Sequence, residues 1–189
     1  MSTVDDRLRK AMREYHADGD KLAVLVIDEQ SGQEPGIIAN AQEDVLLTAV
    51  ELNLPVWHIE LNPGMHTGKQ NKPTDRHLGV AGARICTKPH LNAFVVKAHP
   101  NLHEELKKDR ITMLVIMGFA ANCCVKATAV GGSDSPPPKG AAFDPAKTPK
   151  LFRAGATQLG YIVLTSDWIL RPEPANWKNE PGVRFYTQV

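Results

Sequence analysis

Cysteine is scarce in this chain of 189 residues: there are three, an odd number, at positions 86, 123 and 124. Their spacing fits neither a disulfide framework nor a zinc site, which points to a reducing compartment. Long apolar runs are missing as well. None approaches the roughly 20 residues needed to cross a bilayer, and the opening stretch MSTVDDRLRKAMREY lacks the apolar centre of a signal peptide. The expectation is a cytoplasmic protein with no membrane partner. Net charge is close to nothing, with 22 basic against 21 acidic residues and no block of one sign. No nucleic acid is implied as a partner, and a small-molecule substrate fits better. Internal repeats are absent, and the length suits a single domain over residues 1–189 with a core of its own.

What is present is an alternation of strand-like and helix-like segments. Val4, Leu8, Met12 and Tyr15 recur at near-helical spacing and predict an opening amphipathic helix that ends near Gly19. LAVLVID, from Leu22 to Asp28, is a continuous β-branched and apolar run of the kind buried on both faces of a parallel sheet. ANAQEDVLLTAVELN predicts a helix, PVWHIEL a second strand and ARICTK a shorter third. HPNLHEELKKD reads as a helix with Asn101 as N-cap and Glu104 three residues on, the spacing of a capping box. ITMLVIMGF is a fourth strand, a helix is expected from Cys124 onward, YIVLTSD is a fifth strand and VRFYTQ an edge strand. The fold class that follows is α/β: an open, mostly parallel, Rossmann-like sheet of about six strands with helices on both faces.

In such sheets the ligand crevice lies beyond the carboxyl ends of the strands. Asp28 ends the first strand, Lys88 ends the third, and the turn from Gly118 to Cys124 follows the fourth. All three can converge there although they are distant in sequence. A thiol becomes a useful nucleophile when a base removes its proton or a cation and a helix N-terminus stabilise the thiolate. Asp28 has the chemistry of the base and Lys88 that of the cation. Taken singly, each residue also has an ordinary reading: a turn-capping aspartate, a solvated lysine, a buried cysteine. Cys123 is expected to fill the core, and a vicinal redox pair would require a strained disulfide.

VLVIDEQ with Asp28, TKPHLNAF with Lys88, and VIMGFAANCCVKATA with a cysteine six places after Gly118 together resemble the isochorismatase-like cysteine hydrolases, which include nicotinamidase and N-carbamoylsarcosine amidohydrolase. The resemblance covers roughly Leu22 to Ala129 and resumes at GATQLGYIVLTSD. It implies an Asp28–Lys88–Cys124 triad with Cys124 as nucleophile, and a cis peptide between Phe119 and Ala120 that turns the Ala120 N–H toward an oxyanion. It further implies hydrolysis of a C–N, amide-type bond of a small molecule through an acyl-enzyme, without a cofactor, in a homo-oligomer. Gln30, His58, Asn62 and Phe94 are candidates to line the substrate pocket; His58, inside a strand, can equally be core. True isochorismatases keep the aspartate and lysine but lack the cysteine, so Cys124 argues against their ether hydrolysis. A binding or redox-sensing protein on the same fold remains an alternative.

Three departures stand out. Where nicotinamidase-like members carry an Asp-x-His metal pair, this chain has Glu60 and Asn62, so no metal is expected, although His66 and His77 could still join Glu60 around one. Between ATAVGG and GATQLGY the chain inserts residues 133–154, with three consecutive prolines. The insertion can be a lid, an interface or a disordered loop. ILRPEPANWKNEPG also lacks the helix that relatives place before the last strand.

Overall fold

A computed structural model describes residues 6–30, 37–61, 73–75, 78–94, 98–133, 152–171 and 174–187. The elements, in chain order, are α1 (Asp6–Ala17), β1 (Leu22–Ile27), α2 (Ile37–Glu51), β2 (Val56–Leu61), β3 (Arg84–Lys88), α3 (Leu102–Lys108) and β4 (Met113–Phe119). A π-helical turn (Ala121–Val125) runs into α4 (Lys126–Val130), and β5 (Gly132–Ser133), β6 (Phe152–Arg153), β7 (Ile162–Ser166), β8 (Leu170–Arg171) and β9 (Val183–Tyr186) follow. The apolar runs became strands for the reason their composition gives. All six residues of β1 are buried, and so are the first six of β4, as a central parallel strand covered on both faces requires.

The main sheet runs β3-β2-β1-β4-β7-β9, with β8 beside β4, and every pairing in it is parallel. The two-residue β8 was not anticipated; it is too short to leave a period in the sequence. Parallel neighbours need right-handed crossovers. The crossover from β1 to β2 therefore places α2 on one face, and that from β4 to β7 places α4 on the other. Chain order reverses between β1 and β4, and this is the switch point where open sheets of this kind form their crevice.

The helix signals hold in part. Leu8 and Met12 of α1 are buried, and the Asn101 side chain accepts from the Glu104 N–H at the start of α3. The helix expected from Cys124 begins earlier, at Ala121, and α4 proper is only five residues long. As the sequence suggested, no helix lies between β8 and β9 among the described residues, where 176–179 are turns. Val4, Asn62, His66 and His77 lie outside the described residues, as does the insertion from 134 to 151. Its two flanks pair as the short antiparallel ladder of β5 and β6. Among the described residues no helix is long and apolar enough to cross a membrane.

Candidate active site

The register of the sheet sets where the chemistry-bearing residues emerge. Ile27 pairs with Gly118, so Asp28 and Phe119 leave the two central strands side by side. Gly118 has φ +132°, and a Cβ there would lie 2.1 Å from the Ile27 carbonyl oxygen. No side chain fits, so glycine lets β4 approach β1 just before the chain turns into the π-helical segment. Asp28 itself adopts φ 53°, a left-handed conformation that aspartate tolerates better than most residues. Its N–H donates to the Ile59 carbonyl at 2.9 Å.

Lys88 stands two strands away, paired with Leu61 of β2, a span of about 10 Å at ordinary strand spacing. Only a long side chain crosses it. The Lys88 Nζ donates to Asp28 Oδ2 at 2.8 Å and to the carbonyls of His90 and Leu91 at 3.1 and 3.0 Å. Those three acceptors use all three ammonium protons, and the side chain is fully buried. Burial raises the Asp28 carboxyl above the usual carboxylate range, with Lys88 and the Cys124 thiol opposing it. Asp28 Oδ1 is buried and holds no fixed hydrogen bond.

Cys124 is buried in the π-helical turn, and its thiol interacts with the Asp28 carboxyl. The structure thus brings Asp28, Lys88 and Cys124 together. The Phe119–Ala120 peptide is cis. Cys123 departs from expectation: it is exposed, because adjacent residues on the π-helical turn point in different directions. The hydrogen bond it shares with Cys124 brings its thiol down to about 6, with Lys88 assisting against partial burial. The same hydrogen bond, burial and Asp28 hold the Cys124 proton well above the ordinary thiol range. Cys86 is a core thiol pushed up to about 12 by burial and donates to the Pro100 carbonyl at 3.3 Å.

The other sequence candidates are occupied elsewhere. Gln30 Oε1 accepts from the Leu61 N–H at 2.8 Å, joining the ends of β1 and β2. His58 sits mid-strand with its Nε2 3.1 Å from the Leu78 carbonyl, and burial depresses its pKa, so it is a core contact rather than a crevice residue. Phe94 stacks on Tyr161 at 5.9 Å and meets His103 edge-on. Tyr161 precedes β7 and lies at the amino ends of the strands, so Phe94 faces an aromatic cluster and not the triad. Glu60 Oε1 accepts from the N–H and hydroxyl of Thr74 at 2.9 and 3.0 Å. Among the described residues no three His, Cys, Asp or Glu side chains are grouped to hold a metal. A groove of about 410 Å³ between α2 and residues 79–81 contains none of the triad.

Sequence reasoning missed a buried cluster behind Asp28. Glu29 is fully buried and paired with Arg171 of β8, whose Nε donates to Glu29 Oε1 at 3.2 Å and whose Nη2 donates to Oε2. Gln42 of α2 adds a hydrogen bond from Nε2 to the same Oε1 at 2.8 Å and another to the Ile169 carbonyl at 3.0 Å. The signal was a glutamate directly after an apolar strand, where only a paired charge is tolerated. Its partner, 142 residues on, carried no mark.

The isochorismatase domain family model matches residues 23–135, and the chain belongs to this family, whose members are hydrolases. Among solved structures it is similar to an N-carbamoylsarcosine amidase from Thermoplasma acidophilum, at 16% identity over 88% of this chain and 96% of that one, with a TM-score of 0.61. An isochorismatase-like hydrolase from Alkaliphilus metalliredigens gives 19% identity, coverage of 89% and 92%, and a TM-score of 0.60. A nicotinamidase from Bacillus subtilis gives 14%, 87% and 98%, and 0.59. Among curated proteins none matches the sequence.

Proposed function

We propose that this protein is a cysteine-dependent amidohydrolase that cleaves a C–N bond of a small molecule through an acyl-enzyme, with Asp28, Lys88 and Cys124 as its catalytic triad. The observation that carries the reading is the buried Asp28–Lys88 pair with the Cys124 thiol against its carboxyl. In the reaction, Asp28 takes the Cys124 proton as the sulfur attacks the carbonyl carbon. In this reading the N–H groups of Ala120 and Cys124 serve the resulting oxyanion, where preorganised donors are worth a few kcal/mol. The tetrahedral adduct collapses, and nitrogen leaves with the proton held by Asp28, as ammonia or an amine. Water, deprotonated by Asp28, then attacks the thioester; the acid departs and the Cys124 thiol is restored.

A carboxyl raised by burial suits this work, since a base closer in pKa to the thiol receives its proton with a smaller penalty. Lys88 limits that rise and so favours the ionised form of Asp28. The enzyme is proposed to act in the cytoplasm as a homo-oligomer, in one domain that carries the 133–154 insertion. A panel of small primary amides, carbamoyl compounds and nicotinamide-like rings, assayed for ammonia release, tests the reaction. At least one should turn over, with activity unchanged after prolonged chelation because Glu60 is already engaged by Thr74. No turnover on the whole panel, or loss on chelation restored by a divalent ion, counts against this reading.

Asp28→Asn keeps the shape and removes the base, and a loss of about 10²–10⁴-fold in kcat/KM is expected. The pH profile of the wild type adds a second check. Asp28 acts only when ionised, so activity falls as pH drops through its pKa, and burial places that acid limb above the range of an ordinary carboxyl. Lys88→Met removes an interaction that lowers this pKa, so the limb should move to higher pH as the rate falls. A limb that stays put in Lys88→Met would contradict the assignment.

A further inference from the structure

The segment that replaces the expected helix before β9 is docked onto the turn that carries Cys124. The Ala121 carbonyl, at the start of that turn, accepts the Lys126 N–H in the wide π-helical register. It accepts a second hydrogen bond from Trp177 Nε1 at 2.9 Å. Trp177 is 1% exposed, and its ring meets Phe185 of β9 edge-on at 6.3 Å, so the donor is fixed from behind. Next to Ala121, Asn122 uses both ends of its amide on the same segment. Its Nδ2 donates to the Pro174 carbonyl at 3.1 Å, and its Oδ1 accepts from the Asn176 N–H at 2.7 Å. On the far side of the cysteines, Lys126 Nζ donates to Asn176 Oδ1 at 3.0 Å.

We propose that residues 174–177 act as a strap that sets the position of the Cys124 turn, with Trp177 and Asn122 as positioning residues for the nucleophile; this rests on the reading of Cys124 given above. Four hydrogen bonds reach the turn from one short segment, at Ala121 and Asn122 before the two cysteines and at Lys126 after them. The segment has no ladder of its own at 174–177. Its contacts on the nucleophile turn therefore define its path as much as they define the turn. A π-helical turn is an uncommon conformation that recurs at functional sites, and it needs support beyond its own backbone bonds. The strap supplies that support through hydrogen bonds that involve neither Asp28 nor Lys88. The geometry thus assigns to this chain's own carboxy-terminal sequence the task of aiming the sulfur at the base.

Trp177→Phe retains an aromatic ring beside Phe185 and deletes the N–H that reaches Ala121 together with part of the indole volume. The test compares alkylation of Cys124 by iodoacetamide in the full-length wild type, in Trp177→Phe and in Met12→Ala. Modification is mapped by peptide mass so that Cys123 and the buried Cys86 are scored separately. Met12 is a buried α1 residue remote from the turn, and its truncation controls for general loss of stability. A misplacement of about 1 Å near reacting atoms is worth on the order of 10²-fold, so a partial loss of support should slow Cys124 at least about fivefold or shift its pH midpoint by roughly half a unit. On a substrate from the amide panel, kcat should fall about tenfold with KM within roughly twofold. Met12→Ala, matched or lower in melting temperature, should leave Cys124 labelling within about twofold of wild type. If Trp177→Phe labels at Cys124 as Met12→Ala does, the strap is not a positioning device. If Asp28→Asn alters Cys124 labelling and Trp177→Phe does not, the strap alone fails. Wild-type Cys124 labelling no faster than Cys86 overturns both the strap and the nucleophile.

Discussion

Replacing Cys124 with alanine is expected to abolish turnover, by roughly 10⁴-fold or more, the scale on which covalent hydrolases lose rate when the nucleophile goes. That corresponds to about 5 kcal/mol or more of transition-state stabilisation. Serine at the same place should do little better, because a hydroxyl is much harder to deprotonate with a carboxylate than a thiol is. Cys123→Ala is the informative partner. Its thiol is exposed and shares a hydrogen bond with Cys124, so removing it deletes an acceptor that draws on the Cys124 proton. The variant should keep the fold and most of the activity, with the Cys124 thiol freed to interact with Asp28 alone. Intact-mass analysis during turnover should show an acyl adduct in wild type and Cys123→Ala and none in Cys124→Ala. An adduct mapped to Cys123, or normal turnover by Cys124→Ala, would show that the wrong sulfur has been chosen. Total thiol labelling cannot make this distinction, since Cys123 is exposed and its thiol is lowered by the neighbouring Cys124, so it should react as well.

The second large effect is on stability. Arg171→Met leaves the Glu29 carboxylate buried with Gln42 as its remaining side-chain hydrogen-bond donor. Breaking a buried pair from one side costs about 3–5 kcal/mol, which for a chain of this size lowers the melting temperature by roughly 6–20 °C. Replacing both residues with apolar side chains of similar length should recover much of that loss, because the Glu29 carboxylate is then no longer a buried charge without its cation. Thermal unfolding of the two single variants and the double variant measures it. A double variant no more stable than Arg171→Met would mean that the pair holds β8 by more than charge compensation. Because Arg171 pairs with Phe119 in the sheet and its side chain reaches the residue after Asp28, the single variants should also lose activity at temperatures where they remain folded.

The central strands were legible in the sequence because burial on both faces leaves an unbroken apolar run, Asp28 because it follows such a run, and Lys88 because it ends the shorter third strand. Position in the crevice followed from strand order, a rule about parallel sheets rather than about these residues. Side-chain partners were not legible. Gln30 and His58 lie beside the site in sequence terms, yet each is committed to a backbone group, at Leu61 and Leu78. Phe94 looked like a pocket wall, but its ring is taken up by Tyr161 from a distant strand end. Arg171 and Trp177 carried no periodic signal, since their roles are set by single long-range contacts. Cys123 was misjudged because alternation between neighbours on the π-helical turn depends on a helix type that composition does not encode.

The placement of Asp28 and Cys124 on strands that touch in space but not in sequence bears on how the protein is made. Leu22 pairs with Met113 only after β2, β3 and α3 have been synthesised, so the β1–β4 ladder closes a long loop, a slow kind of step in folding. A nascent or truncated chain that ends before β4 has the base and the lysine but no nucleophile. A chain in which β4 has emerged but not docked has the thiol but no carboxylate beside it. Gly118 makes the coupling strict, because the space for any side chain there is taken by the Ile27 backbone once the ladder forms. On the proposed triad, acquisition of a reactive thiol and closure of the β1–β4 ladder are therefore one event. During biosynthesis the chain carries an ordinary cysteine at position 124 until its fold is closed.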